Sequence, residues 1–186
     1  MALVLLILVL ATGLGLALGG HPRGFARLRV RLVGLVALAA LVQLLGLALA
    51  SDRAPLLWAV LAITGLLTGA FVVANVAVPG VGLIGTGLVL NLLVVAANGG
   101  MPVLARSVLL AGVDPGRALA DPVHVPVEGA RLAWLGDVVP VLNPLHREVV
   151  SIGDLLVAAG IGLLVVTGMR RGRRAAPPPV SPSPAR

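Results

Sequence analysis

The chain has 186 residues, of which 59% are hydrophobic and 11% charged, with a formal net charge of +7 and a mean hydropathy of +1.09. A soluble domain carries about a quarter charged residues, so this balance excludes an ordinary water-soluble protein and points to a polytopic membrane protein. All 14 basic residues are Arg and there is no Cys, which excludes disulfides and thiolate chemistry; most of the charge flanks apolar runs, which argues against a nucleic-acid partner.

Residues 3–19 are the first apolar run. Ala17-Leu18-Gly19 would pass for a cleavage site, but no positive segment precedes the run and the Arg residues follow it, so a retained helix is expected. Ala11, Gly15 and Gly19 fall at four-residue spacing, a small-residue face for close packing. The loop 21–31 holds Arg23, Arg27, Arg29 and Arg31 and no acid. That is a cytoplasmic marker; binding of anionic headgroups is the functional alternative, and the topological role suffices.

Residues 32–50 form the second expected span, with Gln43 inside it, and 56–78 the third, with Trp58 as an interfacial anchor. Thr64, Thr68 and Asn75 share one face of that helix. Residues 81–97 form the fourth span, ~26 Å long as a helix and close to a bilayer core. Gly87, Asn91 and Asn98 share a face there, and an inward-facing Asn91 has Asn75, Thr68 or Gln43 as expected partners.

Residues 99–149 are the one long connection, too short for an ordinary independent domain. Pro102 can open a helix through Ala111 with Gly112 as its terminator, while Asp114-Pro115 and Asn143-Pro144 read as helix starts. The stretch 131–135 is amphipathic enough to lie at an interface, and the whole segment is nearly neutral. Ser151 and Asp154 form a capping-box variant at the start of a fifth span, 151–169. Arg170, Arg171, Arg173 and Arg174 stop transfer, and 175–186 is a Pro-rich tail.

Five spans put both Arg clusters on one side under strict alternation, with the N-terminus outside and the C-terminus inside. The expected fold is all-α: one membrane domain over 1–169, a five-helix transmembrane bundle with an extracytoplasmic cap of interfacial or re-entrant helices over 99–149, then a basic cytoplasmic tail over 170–186.

Asn98-Gly99-Gly100-Met101-Pro102, Leu135-Gly136-Asp137 with Pro140, Ser151-Ile152-Gly153-Asp154 and the stretch around Gln43 together resemble a bacterial multi-pass membrane-protein family, domain of unknown function family 5317. The resemblance spans roughly Met1 to Met169. It implies a bacterial inner-membrane protein of this layout and brings no activity, substrate or catalytic residue.

Two sets of residues are candidates. Gln43, Thr68, Asn75, Asn91 and Asn98 are either inter-helix hydrogen bonds, worth ~0.6–2 kcal/mol each, or a polar path. The absence of an ionisable group at mid-depth favours the first. Asn98, Gly99, Gly100, Arg131, Asp137, Ser151 and Asp154 mark an outer-face site. Asp137 is expected to pair with Arg131 or Arg147. Asn98-Gly99-Gly100 is a helix break by default, with an anion nest as the alternative. His124, His146, Asp137 and Glu148 follow no metal-ligand spacing, and no nucleophile elbow, zinc-protease or phosphate-loop motif occurs, so no catalytic, metal or cofactor residue is assigned.

The function expected is a non-enzymatic subunit that binds lipid, a membrane-protein partner or its own copies. The alternatives are a small transporter or flippase using Gln43, Asn75 and Asn91, and a membrane-embedded enzyme centred on Asp137.

Overall fold

The computed structural model describes residues 2–49, 54–120, 123–142 and 147–171. The apolar runs become helices α1 (Ala2–Ala17), α2 (Val33–Leu49), α3 (Ala54–Asn75), α4 (Val81–Asn98) and, at the end of the chain, α7 (Ile152–Arg170). Between α4 and α7 lie β1 (Met101–Val103), α5 (Ala105–Leu110), α6 (Pro115–Leu119), β2 (His124–Pro126), β3 (Val139–Val141) and β4 (Glu148–Val150). The chain is mostly helical. Among the described residues, three helical stretches are long and apolar enough to cross a membrane: Trp58–Asn75, Val81–Asn98 and Ile152–Arg170. The apolar stretches Ala2–Ala17 and Val33–Gly46 are shorter.

Helix ends follow local chemistry. Gly80 and Gly99 bracket α4 with φ of 93° and 76°, left-handed values that a side chain would strain. Pro55 sits in the first turn of α3, where its missing N–H costs nothing. Gly19, at φ 73°, lies beyond the end of α1 and turns the chain into a 3-10 turn over Pro22–Arg27. It is therefore not on the packing face with Ala11 and Gly15, which are both buried.

α1 runs parallel to α7: Ala2 and Leu3 donate their amides to Glu148 just before α7, while Gly15 packs on Met169 near its end. α4 runs antiparallel to α7, because Gly80 faces Gly160 and Gly87 faces Gly153. Both pairs are seven residues apart, about two turns, so the small residues recur on one seam. A Cβ on Gly160 would come within 2.6 Å of the Gly80 carbonyl oxygen, so the backbones touch. α2 and α3 form a hairpin with Gly46 on Val60, and α3 meets α4 through Val72 on Gly85.

The segment after α4 differs from an all-helical cap. β1 pairs in parallel with β2 (Met101 with His124, Val103 with Pro126), and β3 pairs antiparallel with β4 (Val139 with Val150, Val141 with Glu148). The expected helix from Pro102 to Ala111 splits into β1 and α5. Pro102, Pro126 and Pro140 cannot donate to a ladder, which suits two-stranded ribbons and no wider sheet. Val94, Met101 and Leu135 are buried together, flanked by Leu90, Val95 and Ile152. This small core seats the mixed α/β cap on the end of α4 and the start of α7. The expected Asn143-Pro144 helix start lies outside the described residues.

The two ends differ in charge. Among the described residues, Asp114, Glu128, Asp137, Glu148 and Asp154 all belong to the cap or the first turn of α7. At the opposite end the 22–27 turn packs on the end of α7, with the His21 amide donating to the Met169 carbonyl at 3.0 Å, and brings Arg23 to the same end as Arg170 and Arg171.

Candidate functional site

The polar groups concentrate where the cap meets the helices. The α4–α7 glycine seam ends there, and one turn beyond Gly87 the next residue on that face is Asn91. Ser151 and Asp154 form a reciprocal capping box: Asp154 N donates to Ser151 Oγ at 2.9 Å, and Ser151 N donates to Asp154 Oδ2 at 3.1 Å. Asn91 closes both halves across the helix interface. Its Nδ2 donates to Asp154 Oδ1 at 2.8 Å, and its Oδ1 accepts from Ser151 Oγ at 2.9 Å. The amide orientation is thereby fixed, since only Nδ2 can face a carboxylate. Ser151 is fully buried. Gly153 lies beneath, where a Cβ would strike Asn91 Oδ1 and the Gly87 carbonyl.

A second amide holds the cap. Asn98, the last residue of α4, accepts from Arg131 N at 2.7 Å and donates to Arg131 O at 2.8 Å, with a further bond to Val94 O at 2.8 Å. Arg131 therefore enters through its peptide group. The following Leu132 takes a left-handed φ of 54° and leads into a 3-10 turn, Ala133–Leu135, that buries Leu135 and exposes Trp134. Gly99 donates its amide to Val95 O and Gly100 packs on Val123 and Val125, so this glycine pair is a helix break.

Asp137 pairs with neither Arg131 nor Arg147. Its backbone N–H donates to Pro102 O at 2.8 Å, its carbonyl accepts from Leu104 N at 3.1 Å, and its Oδ2 lies 3.3 Å from His124 Nε2. The parallel register of β1 and β2 brings His124 beside Met101 and so within reach of Asp137. Asp137 is 7% exposed. Burial pushes its carboxyl above the ordinary range, against the hydrogen bond from His124, and the Asp154 carboxylate raises it further. His124 Nδ1 lies 2.8 Å from Ala118 O, an acceptor, so Nδ1 carries a hydrogen. Glu148 moves the other way: burial works against its ionisation, but the bonds from the start of α1 outweigh it and hold the carboxyl below the ordinary range.

The other candidates lie apart. Asn75, 2% exposed at the end of α3, accepts from Arg31 N at 2.7 Å and donates to Arg31 O and Phe71 O, each at 2.8 Å. Thr68 donates to Thr64 O one turn back in its own helix at 2.7 Å. Gln43 is exposed on α2. The glycine seam turns the Asn91 face toward α7 and away from α3, so Asn91 reaches none of Asn75, Thr68 or Gln43. The expected polar face is dispersed over three places. Among the described residues no buried side-chain N or O lacks a hydrogen-bond partner, and no three His, Asp or Glu side chains gather as for a metal. His146 lies outside the described residues.

The residue that spacing alone missed as the partner of Asp137 is His124, brought to it by the strand register. The signal for the Asn91 contact was the capping box itself, which lies at the same end of the antiparallel α4–α7 pair.

Apolar helices of membrane length, a glycine-packed antiparallel seam and a small α/β cap clasped by side-chain amides define a mostly helical protein whose helices suit a membrane. The chain belongs to the family of unknown function DUF5317, which matches it over residues 27–166. The match leaves out α1, which the motif resemblance includes. No curated protein and no solved structure is similar to it.

Proposed function

We propose that this chain is a five-span protein of the bacterial cytoplasmic membrane that acts as a non-enzymatic, partner- or lipid-binding subunit of a membrane assembly. The N-terminus lies outside, the cap over 99–149 is extracytoplasmic, and the Arg-rich end faces the cytoplasm. Support for this layout comes from the helix directions: α1 and α7 start at the cap end, and α4 runs opposite to them. The Arg end, where no described acid lies, agrees with it. Exposed Leu109, Trp134 and Leu142 give the cap an apolar surface suited to the interface or a partner.

The observation that carries the reading is the use of the polar side chains. Asn75, Asn91 and Asn98 are each spent on joining two chain segments. A transport path through Gln43, Asn75 and Asn91 would need them on one surface, and they occupy three. An enzyme centred on Asp137 would draw on His124 and a nearby nucleophile; the buried hydroxyl in that region, Ser107, donates to Val138 O.

Purification from native membranes in mild detergent, with light scattering and quantified co-purifying protein and lipid, tests this. A particle larger than one chain, with a stoichiometric partner or retained lipid, is expected. A bare monomer that carries solute flux in proteoliposomes would overturn it.

A further inference from the structure

α3 and α4 meet at Val72 on Gly85, and their glycines open a groove along the pair of about 490 Å³. That lies within the roughly 300–1,000 Å³ of pockets for small apolar ligands. Gly65 and Gly69 line it from α3, Val76 from just beyond its end, and Gly82, Gly85 and Thr86 from α4. Its hydroxyls are already used: Thr68 donates to Thr64 O at 2.7 Å and Thr86 to Gly82 O at 3.0 Å. The groove therefore offers hydrocarbon contact and asks for no hydrogen bond. One mouth is charged. Val76 follows Asn75, whose amide fixes the backbone of Arg31 at that end; Arg31 is exposed, as is Arg29 two residues earlier in the chain. No described acid lies at that end to neutralise them.

We infer that the α3–α4 groove holds one acyl chain of an anionic phospholipid whose phosphate rests on Arg29 and Arg31. The occupant needs an apolar tail and a negative head at one end, which fits such a lipid. A second protein helix would account for the groove and leave the Arg pair unanswered. Asn75 links the two halves of the site, because the side chain that ends α3 also sets where Arg31 sits. The inference rests on the membrane reading above.

The full chain, purified in mild detergent, is given equal amounts of dioleoylphosphatidylglycerol and dioleoylphosphatidylcholine and examined by native mass spectrometry. One phosphatidylglycerol per chain is expected, with about tenfold preference, since each Arg near a headgroup adds favourable energy. Arg29→Gln with Arg31→Gln should remove the preference. Gly69→Leu should remove the bound lipid; a Cβ at Gly69 meets no atom within 4 Å, so an unchanged melting temperature will show that the fold persists. Gly82→Leu, equally open, is the second groove variant. Equal retention of both lipids, or phosphatidylglycerol unchanged by both groove variants, overturns the inference. So does a polypeptide or second copy displaced by Gly69→Leu with no lipid bound. If alkaline carbonate strips the chain from membranes without detergent, the membrane reading fails instead.

Discussion

Asn98 brackets the peptide group of Arg131, accepting from its N–H at 2.7 Å and donating to its carbonyl at 2.8 Å. Asn75 treats Arg31 in the same way. Each Asn is the last residue of its helix and also bonds the carbonyl four residues back, at Val94 or Phe71. Each bracketed Arg precedes a leucine at positive φ, 54° at Leu132 and 57° at Leu32. A non-glycine left-handed residue costs about 1–2 kcal/mol, so the amide brackets hold strained corners where the chain re-enters the fold.

The first prediction follows from burial. Asn75→Leu strips the part-buried backbone of Arg31 of both partners beside a buried side chain and should cost about 2 kcal/mol. Asn98→Leu acts at an exposed peptide and should cost about 1 kcal/mol or less, while making 123–142 more sensitive to limited protease. Thermal unfolding in detergent ranks the two. A larger loss at Asn98 would show that the brackets do not act as their burial implies.

The second concerns the helix seam. Gly87→Ala places a methyl against the Gly153 carbonyl, and Gly153→Ala places one against the hydrogen-bonded Asn91 amide and the Gly87 carbonyl. Overpacking of this kind costs roughly 1–3 kcal/mol. Gly69→Ala, in open space, should be nearly neutral. Equal melting temperatures for all three would mean that α4 and α7 are not in backbone contact.

Much of this arrangement was legible in the sequence, and the rest depended on neighbours. Apolar runs marked the helices, Gly80 and Gly99 the limits of α4, and Ser151 with Asp154 the capping box. The strands were hidden because each is three residues long and three of the four contain proline, which usually argues against a strand. Asn91 could be placed on a helix face by its spacing from Gly87, but spacing does not say which helix that face meets. The answer lay in the glycines of two distant segments, 80/87 and 153/160, whose match appears only once the helices are paired antiparallel.

The third prediction uses the two shifted carboxyls. Glu148 sits low, so its contribution is present above its unfolded value and is lost as pH falls through the folded one; α1 should loosen from α7 in acid. Asp137 sits high, so its contribution is complete below its unfolded value and is lost as pH rises through the folded one. Melting temperature against pH should lose its acid limb in Glu148→Gln and its decline above the usual aspartate range in Asp137→Asn. Variant curves parallel to the parent at every pH would refute both assignments.

Orientation is the fourth. Reporter fusions at Gly24 and beyond Arg171 should read cytoplasmic, and one at Gly116 should read outside. A cytoplasmic reading at Gly116 would sink the five-span layout, whatever the fate of the cap.

The claim that the polar side chains inside the helix bundle are structural clasps is tested most directly by exchanging the groups of Asn91 and Asp154. Asn91→Asp alone sets two carboxylates together, and Asp154→Asn alone leaves two donors facing each other; each should cost about 1–3 kcal/mol. The double exchange restores every bond. The carboxylate, now on α4, accepts from the amide, now on α7, and from Ser151 Oγ, while the oxygen of that amide accepts from Ser151 N. The double variant should therefore melt near the parent, with a coupling of roughly 1–3 kcal/mol in the cycle. Losses that simply add, with the double variant worse than either single one, would contradict the clasp.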